Sequence, residues 1–177
     1  DQTGNNPFDA DSFDPNNPEG KEAMQNAINS LQNPLSYYDL SIDERAIRIS
    51  QDNSQQNKVN YLEAGSEIII KSRTDAYRNP IDAVGKAVMT SDFSGLKQLI
   101  ETYQNLFNGF MSLTVPSDWL ELHKKYLLFM KKAEAVYSGI SDVQNDTLKE
   151  SLFVQMVPDI VNEEIEIRQA YYKLVTG

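Results

Sequence analysis

Cysteine is absent from all 177 residues, which excludes disulfides, thiolate metal sites and cysteine nucleophiles. Histidine occurs once, at position 123, and only eight glycines are scattered along the chain. Neither a phosphate-binding loop nor a dinucleotide-binding glycine motif can be built from them, and no G-x-S-x-G elbow is present. No apolar run approaches the ~18–20 residues needed to span a bilayer, and no signal-peptide pattern is found. Hairpin dipeptides between alternating apolar residues are missing, as is any internal repeat of about 30–50 residues.

Basic residues are also scarce, sixteen against twenty-six acidic ones, for a net charge of −10. A polyanion gains nothing from phosphate contacts, so nucleic acid is excluded as a partner. The same sign disfavours adhesion to anionic lipid. Half of the excess sits in residues 1–19, which hold Asp1, Asp9, Asp11, Asp14 and Glu19 and no Lys or Arg. With 40% hydrophobic and 24% charged residues the remainder has ordinary globular usage, enough for one core without covalent staples.

Residues 1–17 are rich in Asp, Asn and Pro without periodicity and read as a flexible acidic linker. Asp9, Asp11, Asp14 and Asn16 are closely spaced oxygen donors, but a calcium loop counted from Asp9 fails. Phe13 falls where a donor belongs, Asp14 where the glycine belongs, and Gly20 where the bidentate Glu belongs. The run Phe13-Asp14-Pro15-Asn16-Asn17-Pro18-Glu19 resembles the DPNNP spacers of thrombospondin type 3-like acidic repeats. It is similar in this to helical cell-surface proteins of bacteria that carry such a linker. The resemblance implies a linker near a membrane or on a cell surface. The chain begins at Asp1 rather than Met, which points to a missing N-terminal segment, a signal or an anchor. Together with the absence of cysteine, this leads to the expectation of an extracytoplasmic protein, periplasmic or on the cell surface, touching a membrane only through that segment.

From residue 18 onward the periodicity is helical. A short helix is expected over 18–32, ended by Asn33-Pro34. Ser41-Ile42-Asp43-Glu44 matches the capping box S-x-x-E, so a helix is expected from Ile42 to about residue 77. The polar run 50–57 interrupts its apolar pattern, and a polar loop between two helices is the alternative. Asn79-Pro80 starts a short helix over 80–90, and Asp92 suits an N-cap for a helix over 92–114. In that helix Leu96, Leu99, Ile100, Tyr103, Phe107, Phe110 and Met111 mark the buried face, and Gly109 permits a close helix contact. Pro116 opens the next helix, over 117–140, where Trp119, Leu122, Tyr126, Met130 and Ala133 step at three and four residues. The last helix spans 146–175 and must be kinked or split at Pro158. The fold class is therefore all-α, an antiparallel helical bundle of four long helices with short helices at 18–32 and 80–90 covering it, in one domain over 18–177.

The rare residues gather at 117–130, which makes that helix the first place to look for chemistry. His123 lacks a second His or a Glu-x-x-His partner, so no di-metal site, zinc site or hydrolase triad can be assembled on it. It reads as a packed histidine beside Trp119 and Leu127. A carbohydrate-cleaving enzyme using paired carboxylates would need a Glu followed by a glycine-containing loop, which Glu67, Glu101 and Glu121 lack. Glu163, Glu164 and Glu166 with Arg168 read as a solvated helix face, with an acidic contact patch as the alternative. Nine tyrosines, including the pairs Tyr37-Tyr38 and Tyr171-Tyr172, favour partner binding over catalysis.

No catalytic residue, metal ligand or cofactor is expected. The leading reading is a non-catalytic, extracytoplasmic module for protein interaction or cell-envelope structure, with a protein partner in the envelope. The first alternative is a small-molecule sensing or solute-binding bundle, with Trp119, His123, Tyr103 and Tyr126 as ligand or partner contacts; a carboxylate-dependent carbohydrate-cleaving enzyme is the third reading.

Overall fold

The computed structural model describes residues 33–142 and 147–176, the backbone alone at 147, 175 and 176, together with Pro18, Lys21, Glu22 and Gln25. The acidic linker and most of the helix expected over 18–32 lie outside the described residues, although those four positions include helical backbone. The chain divides into two compact units, Asp1–Tyr37 and Tyr38–Gly177. In the first, a 3-10 turn at Pro34–Tyr37 is closed by the Ser36 amide donating to the Asn33 carbonyl at 3.0 Å.

The second unit is a helical bundle. Among its described residues it holds α1 (Gln55–Ser72), α2 (Asp75–Arg78), α3 (Pro80–Thr90), α4 (Ser94–Met111), α5 (Leu120–Ser141) and α6 (Thr147–Thr176). Two three-residue strands, β1 (Arg48–Ser50) and β2 (Thr114–Pro116), pair in parallel with Ile49 opposite Val115. The expected all-α antiparallel bundle is what forms.

Side-chain pairs fix the directions. Gly65 approaches Phe110 while Thr74 meets Thr102, so α1 and α4 run antiparallel. Gln104 bonds Glu134 and Phe110 meets Tyr126, so α4 and α5 are antiparallel as well. Gly139 lies against Phe153 and Tyr126 against Tyr171, which sets α6 antiparallel to α5. The four long helices thus alternate up, down, up and down.

The helix expected from Ile42 begins thirteen residues later. Asp43, not Ser41, takes the capping role, accepting from the Arg45 amide over a 3-10 turn at Glu44–Ala46. The chain then buries Ile47 and enters β1. The polar run that broke the apolar pattern proves to be a chain of caps. Ser50 accepts from the Asp52 amide at 3.1 Å, Asp52 from Ser54 at 2.9 Å, and Ser54, the N-cap of α1, from Asn57 at 3.3 Å. A helix through these residues would forfeit all three bonds and the ribbon. At its far end α1 stops at Ser72, and Thr74 caps the one-turn α2 by accepting from the Tyr77 amide.

The later elements follow the sequence pattern. Asp92 accepts from the Ser94 amide, but α4 starts at Ser94, two residues inside the expected boundary. Leu96, Leu99, Tyr103, Leu106 and Phe110 form its buried stripe. α5 is the central helix, buried on most of its circumference between α4 and α6, including Tyr126, Leu127, Phe129, Met130 and Val136. Burying each such large apolar side chain stabilises the fold by roughly 1.5–3 kcal/mol. Leu122, expected in this core, is only half-buried. α6 is continuous through Pro158, so the proline does not split the helix.

Two glycines mark close helix contacts. A Cβ on Gly109 would lie 2.5 Å from the Ile68 Cγ2, and one on Gly139 would lie 2.5 Å from the Phe153 ring. The first joins α4 to α1 and the second joins α5 to α6. Tyr38 meets the same Phe153 ring edge-on at 5.8 Å.

Candidate functional site

Two polar clusters converge inside the bundle, both anchored on α6. In the first, the Glu164 carboxylate accepts from three donors. These are the Tyr77 hydroxyl of α2, the Tyr103 hydroxyl of α4 at 3.2 Å, and Arg168 one turn along α6 at 2.6 Å. Arg168 also donates to the Tyr77 oxygen at 2.7 Å and lies over the Tyr77 ring. Burial, and after it the Glu164 charge, pushes both hydroxyls far above the ordinary tyrosine range. They remain proton donors at any physiological pH, so the carboxylate stays satisfied.

In the second cluster His123 of α5 meets Tyr61 of α1, with 2.8 Å between Nδ1 and the hydroxyl. The Tyr61 hydroxyl lies 3.0 Å from that of Tyr171. Burial drives the imidazole down to about 4 and the Tyr171 hydroxyl up to about 12. His123 is therefore neutral at pH 7. Its Nε2 has no hydrogen-bond partner among the described residues. Trp119 closes this cluster, edge-on to Tyr61 at 5.9 Å, with Lys58 over its indole face.

All four residues singled out in the sequence, Trp119, His123, Tyr103 and Tyr126, are buried. Trp119 and His123 belong to the second cluster and Tyr103 to the first. Tyr126 lies between, its ring against Phe110, Phe129 and Tyr171. Glu164 corrects the reading of residues 163–168 as a solvated face, since its side chain is only 15% exposed. Glu163 pairs with Lys132 at 3.1 Å, and Glu166 alone of the three is exposed. A signal for this was available. Glu164 occupies the i+4 position of the stripe Ile160, Ile167, Tyr171, where an acid is either an error of pattern or a buried partner. Tyr61 and Tyr77 carried no comparable mark.

Two concavities share Arg168 as a wall. A smaller one, of about 160 Å³, is bounded by Tyr61, Gly65, Ser66, Phe110, Tyr126 and Tyr171. A larger cleft, of about 290 Å³, lies on the side of Tyr77 and is bordered by Arg73, Arg78 and Ile165. No group of three or more His, Asp or Glu side chains placed to hold a metal occurs among the described residues. Nor is any described helix long and apolar enough to cross a membrane.

A separate feature lies on α3. Ala83, Val84 and Ala87 face the core, while Ile81, Val88 and Met89 form an apolar flank open to solvent, Ile81 64% and Met89 84% exposed. The spacing i, i+7, i+8 places these three on one stripe. Comparison with protein families, with characterised proteins and with solved structures finds no match.

Proposed function

We propose that the domain is a non-catalytic interaction module of a cell envelope, contacting a protein partner through the exposed flank of α3. The observation that carries this reading is the second apolar stripe of that helix. A helix that has already buried one apolar face gains nothing in the monomer from Ile81, Val88 and Met89 facing water. Such patches are characteristic of contact surfaces. The extracytoplasmic setting rests on the acidic linker and the absence of cysteine.

A photo-crosslinker placed at Met89, with one at exposed Glu101 of α4 for comparison, tests the surface in envelope preparations. The reading requires a discrete adduct from position 89 that disappears in an Ile81→Ser/Val88→Ser background. Equal labelling from both positions, or none from position 89, would sink it.

The smaller concavity supports a second reading, a solute-binding bundle, because aromatic walls around Tyr126 suit a compact ring. A thermal shift with phenol that vanishes on filling the site by Ser66→Phe would favour it.

A further inference from the structure

We infer that the cleft beside Tyr77 is a binding site for a small organic anion, with the guanidinium groups of Arg73 and Arg78 receiving its oxyanion and Arg168 forming part of the wall. This goes beyond the α3 surface and does not depend on it.

The charge in the cleft opposes the charge of the protein. Three arginines line it in a chain of net −10, and Glu164 is the one carboxylate among its lining residues. That carboxylate is already engaged by Tyr77, Tyr103 and Arg168. Arg168 thereby offsets it, and the charges of Arg73 and Arg78 are left over. Arg73 forms no ion pair with another described residue. Arg78 has only Asp75 at 3.6 Å, both side chains well exposed, an arrangement that contributes little. Two guanidinium forks are thus open at the mouth of a concavity, and their geometry matches the paired oxygens of carboxylate or phosphate.

The rest of the wall specifies the body of the ligand. Pro80, Val161 and Ile165, with Tyr77, complete the lining and give the cleft an apolar portion beside its arginines. A free inorganic ion would leave that surface wet; an oxyanion on a compact apolar or aromatic body would cover it. At about 290 Å³ the cleft sits at the small end of ligand sites, which run from ~300 to 1,000 Å³.

Three probes of nearly equal size decide the matter by NMR titration of the full chain: phenyl phosphate, benzoate and benzyl alcohol. The site requires saturable shifts at Tyr77, Pro80-flanking and Ile165 resonances with at least one anion, at a Kd near or below ~1 mM, and weakening as salt is raised. Binding of phenyl phosphate alone assigns a phosphate ligand, and binding of benzoate alone a carboxylate. Arg73→Ala and Arg78→Ala, both at exposed side chains, should each weaken the anion about fivefold or more. Arg45→Ala, in the remote 3-10 turn, should leave it unchanged. Benzyl alcohol binding as tightly as the anions would overturn the proposal. So would an unchanged Kd in the Arg73→Ala/Arg78→Ala double variant, or no saturation by either anion up to ~10 mM.

Discussion

Glu164 and Arg168, one turn apart on α6, form a 2.6 Å ion pair that ties three helices together, because Tyr77 and Tyr103 donate to the same carboxylate. Glu164→Gln removes the charge that three donors converge on and leaves at least one buried donor poorly matched. A loss of about 2–4 kcal/mol is expected in urea denaturation. Arg168 is half exposed, so solvent screening keeps the cost of Arg168→Gln nearer ~1 kcal/mol. Equal costs for the two changes would show that the carboxylate is not the hub.

Gly139 and Gly85 should respond to alanine in opposite directions. At Gly139 the new methyl meets the fully buried Phe153 ring at 2.5 Å, so α5 and α6 must move apart. A loss of roughly 2 kcal/mol or more is expected, larger than the gain of about 1 kcal/mol in helix propensity. At Gly85 nothing lies within 4 Å of the added atom, and Gly85→Ala should stabilise by about 0.5–1 kcal/mol. Thermal melts of the two variants check both signs.

Acid should destabilise the domain through His123. The imidazole titrates at about 4 in the fold and at the ordinary 6.5 when unfolded. Between those values the unfolded chain binds the extra proton, so stability is full above pH 6.5 and falls as pH drops through 4. The loss approaches roughly 3 kcal/mol at the acid end. His123→Gln, which cannot take up the proton, should flatten the pH dependence of urea midpoints across this window. Superimposable profiles for the two proteins would assign the acid sensitivity to other groups.

Pro158 sits on an exposed position inside the thirty-residue α6. It supplies no amide to the helix and crowds the carbonyl four residues earlier. Pro158→Ala is expected to stabilise the domain by about 1 kcal/mol or more, with hydrogen exchange slowing around residues 154–158. A loss of stability instead would mean that the fixed φ of the proline, which narrows the unfolded ensemble, outweighs its missing amide bond.

The bundle was legible where apolar residues recur at helical spacing over several turns. The expected bounds of the helices containing Leu96–Phe110 and Tyr126–Ile140 fall within three residues of the observed ends. Residues 42–54 were not, because the S-x-x-E pattern at Ser41–Glu44 satisfies a helix-start rule locally while Asp43 offers a tighter turn. The ribbon was invisible for a different reason. A three-residue strand is too short to show alternation, and its partner lies elsewhere in the chain. Of the polar clusters, His123, Trp119, Tyr103 and Tyr126 were found as rare or aromatic residues. Their partners Tyr61 and Tyr77 are defined by distance in space, which one sequence does not encode locally, whereas Glu164 is marked as an acid within the apolar stripe of α6.

The parallel ribbon also bears on how the molecule assembles. Asn53 and Ser117, bonded at 2.9 Å just beyond its end, are 64 positions apart. Closing so long a loop costs entropy that six strand residues cannot repay alone, whereas the α4–α5 and α5–α6 hairpins join neighbours in the chain. The hairpins should therefore form first, and the ribbon should be the latch that fastens the start of α1 to the start of α5 last. By the same reasoning it is the first part to open. Its release would loosen Lys58 from Asp118, a 2.5 Å pair one turn into α1, and with it the cover over Trp119. Solvent and protons would then reach the interior of the bundle by brief opening of its last-formed corner, long before the whole domain unfolds.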